Sequence, residues 1–256
     1  MKARTAGFKM RAPARAVTFC GVAAIVVIAH LLLGSTGASA FRREPPAHPP
    51  ANVPQRPLPA ACASAPWGPT CEYASIRALD AGRATLGLGP YLLPERFVAM
   101  APERQWLILA NLDRIAYARV PISGLSRPLD GIAMAAARTN DDPDPRPALR
   151  KLNPAAVLGT ASAWAGGLQN GLLAYYGWMY DDGYGGPNLD CKKPSASGCW
   201  GHREVILSFP AGGSFAMGGA AVRRTSSYAL TIVNTALPYF HFEYTWEQAI
   251  SAGAGM

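Results

Sequence analysis

The stretch FAMGGAAVRRTSSYALTIVNTALPYFHFEY, residues 215–244, decides the fold class. Phe215 to Val222, Tyr228 to Val233 and Phe240 to Tyr244 are short, rich in β-branched or aromatic side chains, and bounded by Gly, Ser or Pro, which is how strands read. Val205-Ile206-Leu207 just upstream reads the same way. Helical periodicity precedes them. Ile76, Ala78 and Leu79 recur at helical spacing from Glu72 to Thr85, and Gly87 and Gly89 close that segment. Pro102 suits a first helical turn, and Trp106, Leu109, Leu112 and Ala116 follow at three- and four-residue steps until Pro121. A third helix starts at Pro128 and carries Leu129, Ile132 and Ala136, ending in the Asp- and Pro-rich loop 140–145. A fourth covers Leu168 to Met179 with Leu172, Tyr175, Tyr176 and Met179 on one side. Helices first, then consecutive strands, predict an α+β fold with an antiparallel sheet, not a doubly wound parallel one.

Upstream of this domain the composition changes twice. Lys2, Arg4, Lys9, Arg11 and Arg15 precede an apolar run from Val17 to Leu33, and Ala38-Ser39-Ala40 supplies a small-x-small cleavage pattern. Residues 1–40 therefore read as an export signal; if retained, residues 16–34 would anchor the chain with its domain on the outer face of the membrane. That segment is the expected membrane contact. Residues 41–61 are Pro-rich, with few large apolar side chains, and predict an extended stalk. The globular domain is expected over 62–256. Of the 24 basic residues, five lie in 1–40, where no acidic residue stands, so the remainder holds 19 basic against 16 acidic groups, a net of +3. That scattered charge excludes a nucleic-acid footprint.

Cysteine usage fits an oxidising compartment. With Cys20 assigned to the signal, Cys62, Cys71, Cys191 and Cys199 remain. Four cysteines allow three connectivities; the two close pairs favour Cys62–Cys71 and Cys191–Cys199, each bridge contributing about 2–3 kcal/mol. Cys-x-x-Cys spacing, which a structural zinc site would want, is absent from the sequence.

The segment richest in chemistry is Trp178-Met179-Tyr180-Asp181-Asp182-Gly183, followed by the Cys191–Cys199 loop and by Trp200-Gly201-His202-Arg203-Glu204. A helix end carrying an aromatic and two acids is joined through a pinned loop to a Gly-His-Arg turn. Such a junction can hold a histidine against a carboxylate, as acid/base and metal sites require. Trp178 and Trp200 would offer apolar contact surface beside it. Asp181-Asp182-Gly183 also reads as a helix-ending turn, His202 as a turn histidine fixing the sheet entry, and Arg203 and Glu204 as a solvated pair on opposite faces of a strand. His241, between Phe240 and Phe242, reads as a strand histidine satisfied by its neighbours, and His48 falls in the stalk. Gly212-Gly213-Ser214-Phe215-Ala216 lacks the last glycine of a nucleophile elbow, and prolines interrupt the Asp141, Asp142, Asp144 cluster, which does not match a calcium loop.

Gly201-His202-Arg203 followed by Val205-Ile206-Leu207 resembles the Gly-His-Arg-x-x-Ile-Leu signature of bacterial members of the CAP superfamily, the SCP-like extracellular relatives of cysteine-rich secretory and pathogenesis-related proteins. Trp178 to Asp181 is similar to the Trp-x-x-acid segment before that signature. Asn111-Leu112-Asp113-Arg114, with Pro121 and Leu125, is similar to the early Asn-x-x-Arg helix, and Phe215 to Gly219 to the strand after the signature. The resemblance spans most of 72–245. It implies a secreted, disulfide-bonded α-β-α sandwich with a central antiparallel sheet and an open cleft commonly holding two histidines and two acids. Here only His202 and Asp181 match. The helix that would give the other histidine reads Gly131 to Ala137 without one, and Trp164 to Gly167 stands where Gly-Glu-Asn is usual.

A catalytic zinc takes three protein ligands, so no metal and no cofactor is expected. The function this implies is a non-catalytic extracellular domain binding a ligand or cell-envelope partner through a cleft of Trp178, Asp181, Asp182, Trp200, His202 and Arg203. The alternative is an extracellular hydrolase of wall polymer or peptide, with His202 as base and Asp181 orienting it.

Overall fold

The computed structural model describes residues 48–55, 57–209 and 212–255. The expected export segment and the first part of the Pro-rich segment lie outside the described residues.

Four long helices form where periodicity places them. Helix α2 (Pro69–Thr85), helix α3 (Pro102–Ala116) and helix α4 (Arg127–Thr139) each carry proline in the first turn, where its missing N–H costs no helical hydrogen bond. Asn140 stops α4 in the left-handed conformation, φ 56°. Helix α6 (Gly171–Tyr180) is apolar all round and buried on nearly every face; the Asn170 side chain caps it by accepting from the Leu173 N–H at 3.0 Å. Short helices α1 (Ala61–Ser64), α5 (Arg146–Leu149), α7 (Gly201–Leu207) and α8 (Trp246–Ser251) complete the set.

The sheet has five strands in the order β2-β4-β3-β1-β5. Its body is β2 (Val157–Gly166), β4 (Ser227–Thr235) and β3 (Ser214–Val222), all antiparallel. The short β1 (Gly124–Leu125) lies parallel to β3, and β5 (Tyr244–Thr245) pairs antiparallel with β1. The sheet is therefore mixed rather than wholly antiparallel, because α4 and β2 intervene between β1 and β3 and bring the chain back in the same direction.

Alternation along β4 sorts the two faces. Tyr228, Leu230 and Ile232 join Phe215 and Met217 in the main core against Trp106 of α3 and the residues of α2, α6 and α7. Ala229 and Val233 face the other way, onto α4. The seat of α4 is close: a Cβ on Gly218 would lie 2.2 Å from the Leu129 carbonyl carbon, so only glycine fits there. Helices thus cover both faces, and the α+β expectation holds.

Two sequence expectations fail. Val205-Ile206-Leu207 is the last turn of helix α7, not a strand. Phe240 to Tyr244 is irregular except for Tyr244, the first residue of β5, and His241 is exposed rather than packed in a strand. Short β1, α1, α5 and α8 carry no sequence expectation, and neither does one long element, β2, a ten-residue strand ending at Trp164 to Gly166.

The Pro-rich segment is not a free stalk where it is described. Val53 donates its N–H to the Tyr180 carbonyl at 2.8 Å, and the Tyr176 hydroxyl donates to the Val53 carbonyl at 2.7 Å. Cys62–Cys71 and Cys191–Cys199 are both disulfide-bonded, spanning 9 and 8 residues.

Candidate functional site

Helix α6 stops at Tyr180, and the next two residues turn opposite ways. Asp181 is its C-cap, with its N–H on the Gly177 carbonyl and its side chain partly exposed. Burial, and then the neighbouring Asp182 charge, push its carboxyl up to about 6. Asp182 points inward and is 1% exposed.

The partner of His202 is Asp182, not Asp181. Its Oδ1 lies 2.6 Å from Nδ1 of His202, and its Oδ2 accepts the backbone N–H groups of His202 at 2.8 Å and Arg203 at 3.4 Å. Asn188 adds a fourth donor, Nδ2 to Oδ1 at 2.9 Å. Those two backbone donors belong to the first turn of α7, where a helix leaves N–H groups unpaired and carries partial positive charge. Asp182 therefore caps α7 from twenty residues away in sequence. Burial pushes its carboxyl above the usual range, and its bonds to His202 pull it back. A carboxylate can only accept, so Nδ1 donates its ring proton to Asp182. Nε2 is buried with no hydrogen-bond partner among the described residues.

The other end of α7 is held by a cation. Arg114, fully buried in α3, donates Nη1 to the carbonyls of Ile206 and Ser208, both at 2.8 Å, and Nε to Val120 at 2.7 Å. Positive charge at a helix C-terminus is the favourable sign. Neighbouring Asn111 fastens the chain leaving α3: its Nδ2 donates to the Ile122 carbonyl at 2.9 Å and its Oδ1 accepts the Ile122 N–H at 2.6 Å. The Asn-x-x-Arg pair singled out in the sequence thus does positioning work in the interior.

The remaining expected cleft residues are also interior. Trp178 packs edge-on against Trp106 with centroids 5.5 Å apart. Arg203 is buried, not solvated; its guanidinium donates to the Met179 carbonyl at 2.6 Å and to the Tyr117 hydroxyl, and lies over the Tyr117 ring. Only Glu204 of that expected pair is outside. Trp200 turns the chain into α7 with φ 63° and stacks on His48, whose Nε2 meets Glu204 Oε1 at 3.0 Å. The open groove expected between positions 202 and 181 is thus a sealed pair at 202 and 182, with Asp181 at its rim.

A second buried polar cluster adjoins it. Asp113 accepts from Arg83, from Tyr91 at 2.7 Å and from Tyr175 at 2.6 Å, and the Tyr91 and Tyr180 hydroxyls share a hydrogen bond at 2.8 Å. Burial raises the Asp113 carboxyl, opposed first by the Arg83 charge. Asp113, Tyr175 and Tyr180 lie in segments quoted from the sequence, but nothing there points to their polar contacts, since tyrosines at helical spacing look like ordinary core. Asp142, in the loop after α4, is partly buried; burial lifts its carboxyl to about 6, opposed first by the nearby His202.

Among the described residues, no group of three or more His, Cys, Asp or Glu side chains is placed to hold a metal ion, and no helix is long and apolar enough to cross a membrane. Comparison with protein-family models and with curated proteins returned no match.

Proposed function

We propose that this chain is an exported, CAP-like domain that binds an extracellular ligand or cell-envelope partner without catalysing a reaction. One observation carries the reading: Asp182 and His202, the pair that would do chemistry in a cleft, are buried and occupied in starting helix α7. The two disulfides and the helices on both faces of the sheet support the exported, sandwich-like character. Where the resemblance sought a second acid, residues 164–166 are the end of β2, and Trp164 donates to Ser227 at 2.8 Å.

The hydrolase remains a second reading for one reason. A carboxylate on Nδ1, with Nε2 unpartnered among the described residues, is the geometry of an oriented general base. One assay separates the two readings. The exported chain and its His202→Gln variant are incubated with cell-wall polymer and with peptide libraries, folding being checked by circular dichroism. We expect no turnover by either protein, and saturable binding to purified envelope that the substitution leaves unchanged. Turnover by the natural chain that disappears in a folded His202→Gln variant would overturn the binding reading and establish the hydrolase.

A further inference from the structure

The segment His48–Val53 is held like a bound peptide. The Asn52 side-chain amide pairs with the backbone of the loop after Asp182: the Gly183 N–H donates to Oδ1 at 2.7 Å, and Nδ2 donates to the carbonyls of Gly183 at 3.2 Å and Tyr184 at 2.9 Å. An amide facing a peptide unit satisfies a donor and an acceptor together, which a carboxylate of the same shape cannot do. Glycines line the loop where it meets Asn52. A Cβ on Gly183 would lie 2.8 Å from Asn52 Oδ1, and one on Gly186 2.9 Å from Nδ2, although Trp200 at 2.6 Å and the Asp181 carbonyl at 2.5 Å crowd Gly183 and Gly186 more closely still. The next residue is read through its main chain, Val53 N–H to Tyr180 and Val53 carbonyl from Tyr176, while its side chain packs on the main core. Pro50 and Pro54 flank this pair and favour an extended conformation before docking.

We propose that the surface formed by Tyr176, Tyr180, Gly183, Tyr184 and Gly186 is a groove for extended peptides carrying an Asn followed by an aliphatic residue, and that the chain's own Asn52-Val53 is its tethered ligand. Main-chain bonds supply affinity and the Asn amide supplies selectivity, as in other extended-peptide sites. Tethering gives the internal segment a high effective concentration, so a free peptide enters only where the internal Asn is disabled. The groove is distinct from the His202 pair, and the inference does not rest on the proposed function.

Amide exchange at Gly183 reports occupancy, because that N–H is donated to Asn52. The probe is the free peptide HPPANVPQ, the sequence of residues 48–55, added to the natural chain, to Asn52→Ala and to the isosteric Asn52→Asp, which serves if the alanine variant does not fold. Both variants are expected to exchange Gly183 at least tenfold faster. The free peptide should restore protection saturably in the variants, and the same peptide with Asp for Asn should not. Unchanged Gly183 protection in a folded variant, failure of the peptide to restore it, or equal restoration by the Asp peptide would each overturn the proposal.

Discussion

Asp182 touches His202 twice, at the ring through Oδ1 and at the backbone N–H through Oδ2, 2.6 and 2.8 Å away. One carboxylate thereby fixes both the tautomer of the imidazole and the first turn of α7. Removing its charge leaves buried donors facing a poorer acceptor, so Asp182→Asn is expected to destabilise by about 3 kcal/mol, lowering Tm by about 6–12 °C for a domain of this size. The slowly exchanging Nδ1–H resonance of His202 should vanish with it. Asp181→Asn is the control. That carboxyl is partly exposed, and burial holds it up at about 6, so near neutral pH its neutralisation is expected to leave the fold as stable as before or more so. Equal losses from the two substitutions would remove Asp182 from this role.

Arg114 makes the matching prediction at the other end of α7. Its contacts with Val120, Ile206 and Ser208 are all to carbonyl oxygens; the one to Ile206 is buried and the other two are partly so. Arg114→Lys keeps the charge but has no fork to reach them together; a loss of about 2–3 kcal/mol is expected. Arg114→Met should lose more, because the carbonyls are then left without a cation. Thermal melts of the two variants beside the natural chain decide it, and indifference to both would show that α7 needs no such clamp.

These two clamps explain where the sequence was legible and where it was not. Helices α2, α3 and α4 announce themselves through the period of a buried stripe, and α6 and strands β3 and β4 through the composition of elements covered on nearly every side. Val205-Ile206-Leu207 has the composition of a strand, yet it is helical because Asp182 and Arg114 hold its two ends. That is information from residues far away in the chain, invisible to any window around 205. Strand β2 reads Val-Leu-Gly-Thr-Ala-Ser-Ala-Trp-Ala-Gly, nearly without β-branched residues, and exists through its pairing with β4. At the site, His202 was legible as unusual, but its partner was misjudged by one residue. Which of two adjacent acids turns inward depends on where α6 ends.

The Asp113 cluster yields a test of coupling. Asp113→Asn leaves the Arg83 guanidinium buried without its counter-charge, and breaking such a pair from one side typically costs about 3–5 kcal/mol. Tyr175→Phe removes one hydrogen bond to the same carboxylate, for about 1–1.5 kcal/mol. Because Tyr175 donates to the group that Asp113→Asn neutralises, the double variant should lose less than the two single losses together. Strict additivity in chemical denaturation would mean that the tyrosine acts through packing alone.

The carboxyls of Asp130 and Glu72 set the expected response to pH. Burial pushes each up to about 7; the Gly219 N–H donated to Asp130 at 2.8 Å pulls it down, while Glu103 and Glu243 push it further up. An unfolded Asp or Glu titrates near 4. Between about pH 4 and 7 the folded chain therefore holds protons that the unfolded chain has released, and stability falls as pH rises through that window. Asp130→Asn retains an oxygen to accept from Gly219 but has no proton to lose. Its melting temperature should thus decline less between pH 5 and pH 8 than that of the natural chain, and it should be the more stable of the two at pH 8. Parallel declines in the two proteins would show that Asp130 titrates normally, with its carboxylate accommodated in the fold at no cost.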